Sequence, residues 1–470
     1  MNEYKIYCGG KFTTSEKILI VKNPYDNSIV GKTYLANETI INEAIIKALK
    51  VQNELKHLPS YLRYSILMSI VEQLSQNRRL MAEIISNEAA KPIKYSLSEV
   101  ERAIQTFIIA AEETKRLPKE YMSLDWTPAG AKKEGFVKYF PIGLIAGIAP
   151  FNFPLNLAVH KLAPAIASGN PIILKPASST PLTVLELAKY IDYTDLPKGA
   201  ISILPADRIS GNLLVTDERI KMLSFTGSPE VGWKMKENAG KKKICLELGG
   251  NAGVIITQTC DIENAVNKCI TGAFSYSGQV CIHTQRIYIH ESVFDKFSNK
   301  FIEKAKELKF GNPLDNETDV TSMIDEPNAI RVENWVNEAL NDGAKVLSGG
   351  KRNETFFEPT IITNTKNDMK VCCNEVFGPV VIIEKYTDFA KAVELINNTE
   401  FGLQAGIFTN TISEMDYAFE NIECGGVLIN ETPTFRVDHM PYGGIKDSGF
   451  GREGVKYAIL EMMEPKILVK

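Results

Sequence analysis

The sequence has no excess of positive charge. Lysine and arginine number 53 against 57 aspartate and glutamate, for a net charge of −4 over 470 residues. Such a balance does not suit a phosphate backbone, and no nucleic acid is expected as a partner. Long apolar runs are missing too. The longest, Ile142–Ala149, is strand-sized, so no membrane span is expected. The first residues, Met-Asn-Glu-Tyr-Lys-Ile-Tyr, lack the basic-then-apolar layout of a signal peptide. Eight cysteines form no Cys-x-x-Cys pair, and five scattered histidines form no ligand cluster, which argues against a bound metal. The expectation is a reduced, cytoplasmic, metal-free protein.

What is present is ordinary globular composition, 44% apolar and 23% charged, in a chain long enough for two large domains. The first 36 residues alternate apolar and polar around Asn23-Pro-Tyr-Asp-Asn27, a hairpin signal. From Thr39 to about Leu117 the apolar period is helical, the last helix running from Glu99 to about Lys115. Residues 119–140 interleave Tyr121, Trp126 and Phe136 with Lys, Glu, Gly and Pro. This reads as an extended arm suited to a subunit contact, or as a simple surface hairpin. From Ile142 strands alternate with helices, with Thr180-Pro181 and Ser228-Pro229-Glu230 as capped helix starts. A second such series follows Leu246-Glu-Leu-Gly-Gly250. The alternation predicts an α/β protein with doubly wound parallel sheets. A final apolar strand, Ile467–Val469, is a candidate partner for the arm.

Cys281 closes the run Phe274-Ser-Tyr-Ser-Gly-Gln-Val-Cys281, just before a strand. A thiol at a Gly-containing turn is well placed for a nucleophile, although cysteine is also among the most buried residue types. Gly227-Ser228 opens a helix after a strand, which suits a pyrophosphate or an ordinary capped turn. Lys175, at the carboxyl end of a strand, can hold a ribose hydroxyl or phosphate, or simply face water. Glu247 lies in an apolar run, where a carboxylate is costly unless paired or functional. Asn152, between Pro150-Phe151 and Phe153-Pro154, is a candidate oxyanion donor or a turn residue.

Taken in order, Pro150–Pro154, Lys175-Pro176, Phe225-Thr-Gly-Ser228, Leu246–Gly250, Gly278-Gln-Val-Cys281, Glu375-Val-Phe-Gly-Pro379, Pro441-Tyr-Gly-Gly444 and Ser448–Glu453 resemble the aldehyde dehydrogenase superfamily from about Asn23 onward. The resemblance implies two Rossmann-like domains, residues 1–118 with 139–246 for the dinucleotide and 247–447 for catalysis. It also implies a small β oligomerisation arm, 119–138 with 455–470, joining a homodimer or homotetramer. It implies a role for each site residue. Cys281 attacks the aldehyde as thiolate, in an electropositive neighbourhood. The Asn152 amide and the Cys281 N–H hold the oxyanion, and Glu247 activates water against the thioester. Lys175 and Glu375 grip the cofactor riboses, Phe377 packs near the nicotinamide, and Pro150, Phe151, Gly227, Ser228 and Gly249 complete the cofactor site. Glu453 relays protons.

Many family members that prefer NAD carry a glutamate where this chain has Ser178, so NADP is expected to be accepted beside NAD or preferred to it. Leu157, His160, Ile282, Phe435, Arg436 and Tyr442 should border the entrance to Cys281. His160 and Arg436 are candidates for binding an anionic or hydroxylated tail; the alternative is a packed histidine and a solvated arginine. The sequence is similar to the branch with lactaldehyde, succinate-semialdehyde and non-phosphorylating glyceraldehyde-3-phosphate dehydrogenases. Rival readings are a CoA-acylating enzyme, disfavoured by Glu247, and a silent structural homologue, disfavoured by the intact trio. A cysteine hydrolase is a third; it would need a histidine or aspartate partner for Cys281, and only His283 lies near it in the sequence.

Overall fold

A computed structural model describes residues 2–470. The hairpin signal at Asn23–Asn27 joins antiparallel strands Ile18–Lys22 and Ile29–Tyr34. The helical stretch is four helices, Glu38–His57, Ser60–Gln76, Arg78–Ala89 and Ile93–Glu113. The last begins a turn and a half before the expected Glu99, because Pro92 can take the N-cap position without needing an N–H.

Two large sheets carry the molecule. In the first, Lys243–Glu247, Met222–Thr226, Ile145–Ile148, Ile172–Lys175 and Ile201–Ile203 lie side by side and parallel. Short antiparallel strands close both edges, Gly449–Phe450 on one side and Ile6–Tyr7 on the other. From Ile145–Ile148 the chain moves outward in one direction, then returns at Met222–Thr226 on the other side. Ligand crevices open at such a reversal, and Pro150–Pro154 leaves the strand there. The second sheet orders Thr360–Thr363, Val380–Tyr386, Thr284–His290, Ala252–Ile256, Gln404–Phe408 and Gly426–Ile429 in parallel, with Lys345–Ser348 antiparallel at one edge. Leu248–Asn251 is all that separates the last parallel strand of the first sheet from a central strand of the second.

The arm is a three-stranded sheet: Lys119–Ser123, Glu134–Pro141 and Met463–Val469. The sequence boundary needs correcting here. Val455–Glu461 is a helix whose Val455 and Ile459 are buried in the first domain's core, so only 463–469 joins the arm. Tyr121, Phe136, Ile467, Leu468 and Val469 are all exposed on it.

One helix start also departs from expectation. Thr180 does not cap Leu182–Asp192; its hydroxyl has no partner. Glu88, from a helix 94 residues earlier, accepts from the Leu182 and Thr183 N–H groups at 2.7 and 3.0 Å and from the Thr183 hydroxyl. Glu88→Ala orphans three buried donors and is expected to cost about 3 kcal/mol, read as a lower thermal unfolding midpoint. Burial raises the Glu88 pKa from 4.5 to about 8, against the pull of its hydrogen bonds. The folded state therefore holds this proton more tightly than the unfolded chain. Its contribution to stability is full below about pH 4.5 and is lost as pH rises through 8, a slope that Glu88→Gln should flatten.

Candidate active site

Cys281 sits half-buried on the loop between helix Ile262–Phe274 and strand Thr284–His290. That loop is strained: Tyr276 and Ser277 have φ of 48° and 52°. Such conformations cost of order 1–3 kcal/mol each and persist only when held. Here the Tyr276 hydroxyl donates to the Ala89 carbonyl at 3.0 Å and the Ser277 hydroxyl to that of Thr321 at 2.6 Å. The Gly249-Gly250 pair allows the chain to pack closely against the cysteine loop and Glu375. A Cβ on Gly250 would lie 2.1 Å from the Cys281 carbonyl oxygen, and one on Gly249 would lie 2.4 Å from a Glu375 oxygen.

Asn152, Glu247 and Cys281 do come together. One Asn152 amide N–H donates to the Gln279 carbonyl at 3.0 Å, which leaves the second N–H unspent beside the cysteine loop. The Cys281 sulfur lies 3.4 Å from the Tyr442 hydroxyl. The next residue, Gly443, is so close to Glu247 that a Cβ there would meet Oε1 at 2.9 Å. Glu247 is buried with neither oxygen hydrogen-bonded. Burial, then the charge of Glu453, push its pKa well above the usual carboxylate value. The expected electropositive activation of the thiol is not a property of the protein alone. Burial pushes Cys281 up to about 11, and the Tyr442 hydrogen bond and Arg436 only partly oppose it.

The entrance residues divide. Ile282 and Tyr442 pack in one apolar cluster with Phe153 and Cys281, and Leu157 is buried on the helix Asn156–Ser168. Phe435 is not drawn in and is 44% exposed. Arg436 is not solvated. It is 3.6 Å from the Tyr442 ring centre, 3.2 Å from Glu453 and 4.0 Å from Asp438, with its Nε unpaired. His160 is hydrogen-bonded to Asp438 at 2.8 Å, and burial, then the nearby Arg436, lower its pKa against the pull of Asp438. Glu453 does not fit a proton relay. Burial alone would raise its pKa, but Lys161, His160 and Arg436 hold it at about 2, so it stays a fixed negative charge.

Three residues of this cluster escape a reading of the sequence. Lys161 is buried, with its ammonium 2.7 Å from Thr226 and 3.2 Å from Glu453. Asp438 is shared between His160 and Arg102, and Arg102 reaches over Phe153. The signal for Lys161 was available: it stands beside His160 in a helix otherwise almost wholly apolar. His283 is turned to the Ala273 carbonyl, 2.9 Å from its ring, and lies before the strand that begins at Thr284.

Beyond the first sheet's strand ends lies a cavity of about 670 Å³ lined by Ile148, Lys175, Ser178, Phe225 and Val231 among others. Lys175 is half-buried there without a hydrogen-bond or ion-pair partner among the described residues, and desolvation lowers its pKa. A stranded ammonium of this kind fits a missing anionic or hydroxylated ligand. Gly227 covers the face of Phe225, and Ser228 stands at the start of helix Pro229–Asn238 without capping it, so the first N–H groups remain free. On the other side Glu375 accepts from the Gly250 N–H at 2.8 Å, its pKa raised by burial to about 7. The rings of Phe151 and Phe377 meet edge to face at 5.8 Å, bringing the loops after Pro150 and Glu375 together. A cavity with a free cation, a helix N-terminus and this second acidic edge fits a dinucleotide.

Comparison with known proteins agrees. The model of the aldehyde dehydrogenase family matches residues 12–468, beginning earlier than the motifs alone. A 3-sulfolactaldehyde dehydrogenase of Priestia aryabhattai is 41% identical, covering 100% of this chain and 98% of its own. The crystal structure of aldehyde dehydrogenase 21 from Physcomitrella patens, complexed with its reaction product succinate, superposes with a TM-score of 0.98 at 43% identity, covering 100% and 98%. A glyceraldehyde-3-phosphate dehydrogenase from Methanocaldococcus jannaschii, complexed with NADP, gives 0.92 at 41% identity over 96% and 98%. Matched almost from end to end, the chain belongs to the aldehyde dehydrogenase family.

Proposed function

We propose that the protein oxidises a short aldehyde with an anionic tail to its carboxylic acid, with NADP or NAD as acceptor. The observation that carries this reading is the gathering of Cys281, Asn152 and an unpaired Glu247 around the cysteine loop and Tyr442-Gly443. Cys281 loses its proton to solvent and its sulfur bonds the aldehyde carbon. The free N–H of Asn152 and the Cys281 backbone N–H hold the oxyanion that forms. The nicotinamide, when bound, supplies positive charge beside the thiolate and accepts the hydride. Glu247, as carboxylate, then takes a proton from a water whose oxygen attacks the thioester carbon, and the C–S bond breaks.

Charge at the entrance favours an anionic tail. Arg102, Arg436 and Lys161 gather there with Asp438 and Glu453, whose pKa values are held low, while burial and Glu453 disfavour charge on Glu247. The relatives named for sulfolactaldehyde and glyceraldehyde 3-phosphate, and the one holding succinate, share an acidic tail chemistry. The test is a panel of short sulfo-, carboxy- and phospho-aldehydes against uncharged ones of equal length, with Cys281→Ala as control. Equal kcat/KM for charged and uncharged substrates would refute the anionic tail, and turnover by Cys281→Ala would refute the covalent route.

Ser178 lines the cavity together with Lys175, Arg208 and Lys234, against the single acid Glu230. This edge suits a 2′-phosphate. Ser178→Glu is expected to cut kcat/KM for NADP at least about tenfold, some 1.4 kcal/mol of repulsion, and to spare NAD. The exposed apolar strand Ile467–Val469 and the arm's Tyr121 and Phe136 support a homodimer or homotetramer. Sedimentation of the protein should give two or four chains, and deletion of 463–470 should give monomers.

A further inference from the structure

The turn that carries Asn152 is held from behind by a buried ion pair outside the motifs around the cleft. Lys91 and Glu99 are 1% and 0% exposed along their side chains and 2.7 Å apart. The Lys91 ammonium also donates to the Asn152 backbone carbonyl at 3.0 Å. It lies 3.6 Å from the ring centre of Phe153 and 4.9 Å from that of Tyr276. The other Glu99 oxygen accepts from the N–H groups of Leu155 and Asn156 at 2.9 and 3.1 Å, which start the next helix. The segment containing Lys91 grips the cysteine loop too: the Ala89 carbonyl takes the Tyr276 hydroxyl, and that of Ala90 takes the Thr321 hydroxyl.

A buried ion pair is a poor device for stability alone, since desolvation offsets most of its attraction. This one touches the backbone of the oxyanion donor, the start of the helix that follows it, and the ring of the strained Tyr276 on the cysteine loop. The geometry points to Lys91 and Glu99 as positioning residues that set the Asn152 amide against Cys281. Neither reaches the reacting atoms; they act through Asn152. The inference rests on the proposed oxyanion role of Asn152 and goes beyond it.

A double-mutant cycle read in single turnovers of NADP reduction tests it. Lys91→Met should slow the hydride-forming turnover about 100-fold, the scale of a misplacement near 1 Å, with the Kd for NADP within about twofold. In an Asn152→Ala background the same change should slow it by less than about threefold, because the group it positions is gone. Glu99→Gln, which keeps an oxygen for the two N–H groups, should show the same non-additivity with a smaller loss, and it stands in if Lys91→Met does not fold. Equal losses in both backgrounds, or a loss confined to KM, would overturn the inference while leaving the Asn152 reading intact. An Asn152→Ala protein as fast as the wild type would instead sink that reading, and this inference with it.

Discussion

Glu247→Gln is expected to produce about one equivalent of reduced cofactor per active site and then nearly stop. Glutamine has the same shape, and neither Glu247 oxygen has a hydrogen-bond partner to lose. Removing a carboxylate that burial and Glu453 already disfavour should leave the fold intact or slightly firmer. The steps up to the thioester use the sulfur of Cys281 and the two N–H donors, none of which the substitution touches. What fails is the removal of a proton from water, so steady-state turnover should fall by about 10²–10⁴, the usual worth of a general base. Stopped-flow absorbance at 340 nm reads both phases, and mass spectrometry should find Cys281 acylated. Glu453→Gln should give no such burst, because a carboxylate held at about 2 between Lys161 and Arg436 has no proton to move near neutrality. Steady turnover without a burst in Glu247→Gln would remove Glu247 from the hydrolytic step.

The parts of this site that were legible in the sequence share one property: each is set by its immediate neighbours. Pro150–Pro154, Gly249-Gly250 and Gly278–Cys281 are turns whose residue types are dictated by local backbone geometry and close approach. They stand at strand ends that the apolar rhythm already located. The parts that stayed hidden depend on partners far along the chain. Thr180 had every local mark of an N-cap, yet Glu88 took the position, because the two oxygens of its carboxyl group take two N–H groups where a hydroxyl takes one. Arg436 gave the sequence a choice between solvent and substrate. Its actual company, Tyr442, Glu453, Asp438 and His160, comes from three segments, one of them 276 residues away. Glu453 was given a proton relay by the resemblance alone, and its partner Lys161 stands 292 residues earlier, beyond any local signal.

That crowding makes Arg436 the position where binding and stability should part most clearly. Arg436→Met keeps much of the volume against Tyr442 but leaves Glu453 buried with Lys161 alone and Asp438 with His160 and Arg102. Breaking a buried pair from one side costs about 3–5 kcal/mol, so the thermal midpoint should drop by many degrees. The entrance loses one of its three cations as well, and kcat/KM for a sulfo- or carboxy-aldehyde should fall by about 10²–10³, the worth of a desolvated charge-assisted contact. Uncharged aldehydes of the same length should lose tenfold or less, roughly what altered packing costs. Glu453→Gln added to Arg436→Met removes the charge that lost a partner and keeps an amide oxygen for the Lys161 ammonium, so it should restore part of the stability. It cannot restore a cation, so preference for the anionic substrate should stay lost. If the double variant regains that preference along with its melting point, Arg436 serves the fold alone, and the tail must be read by Arg102.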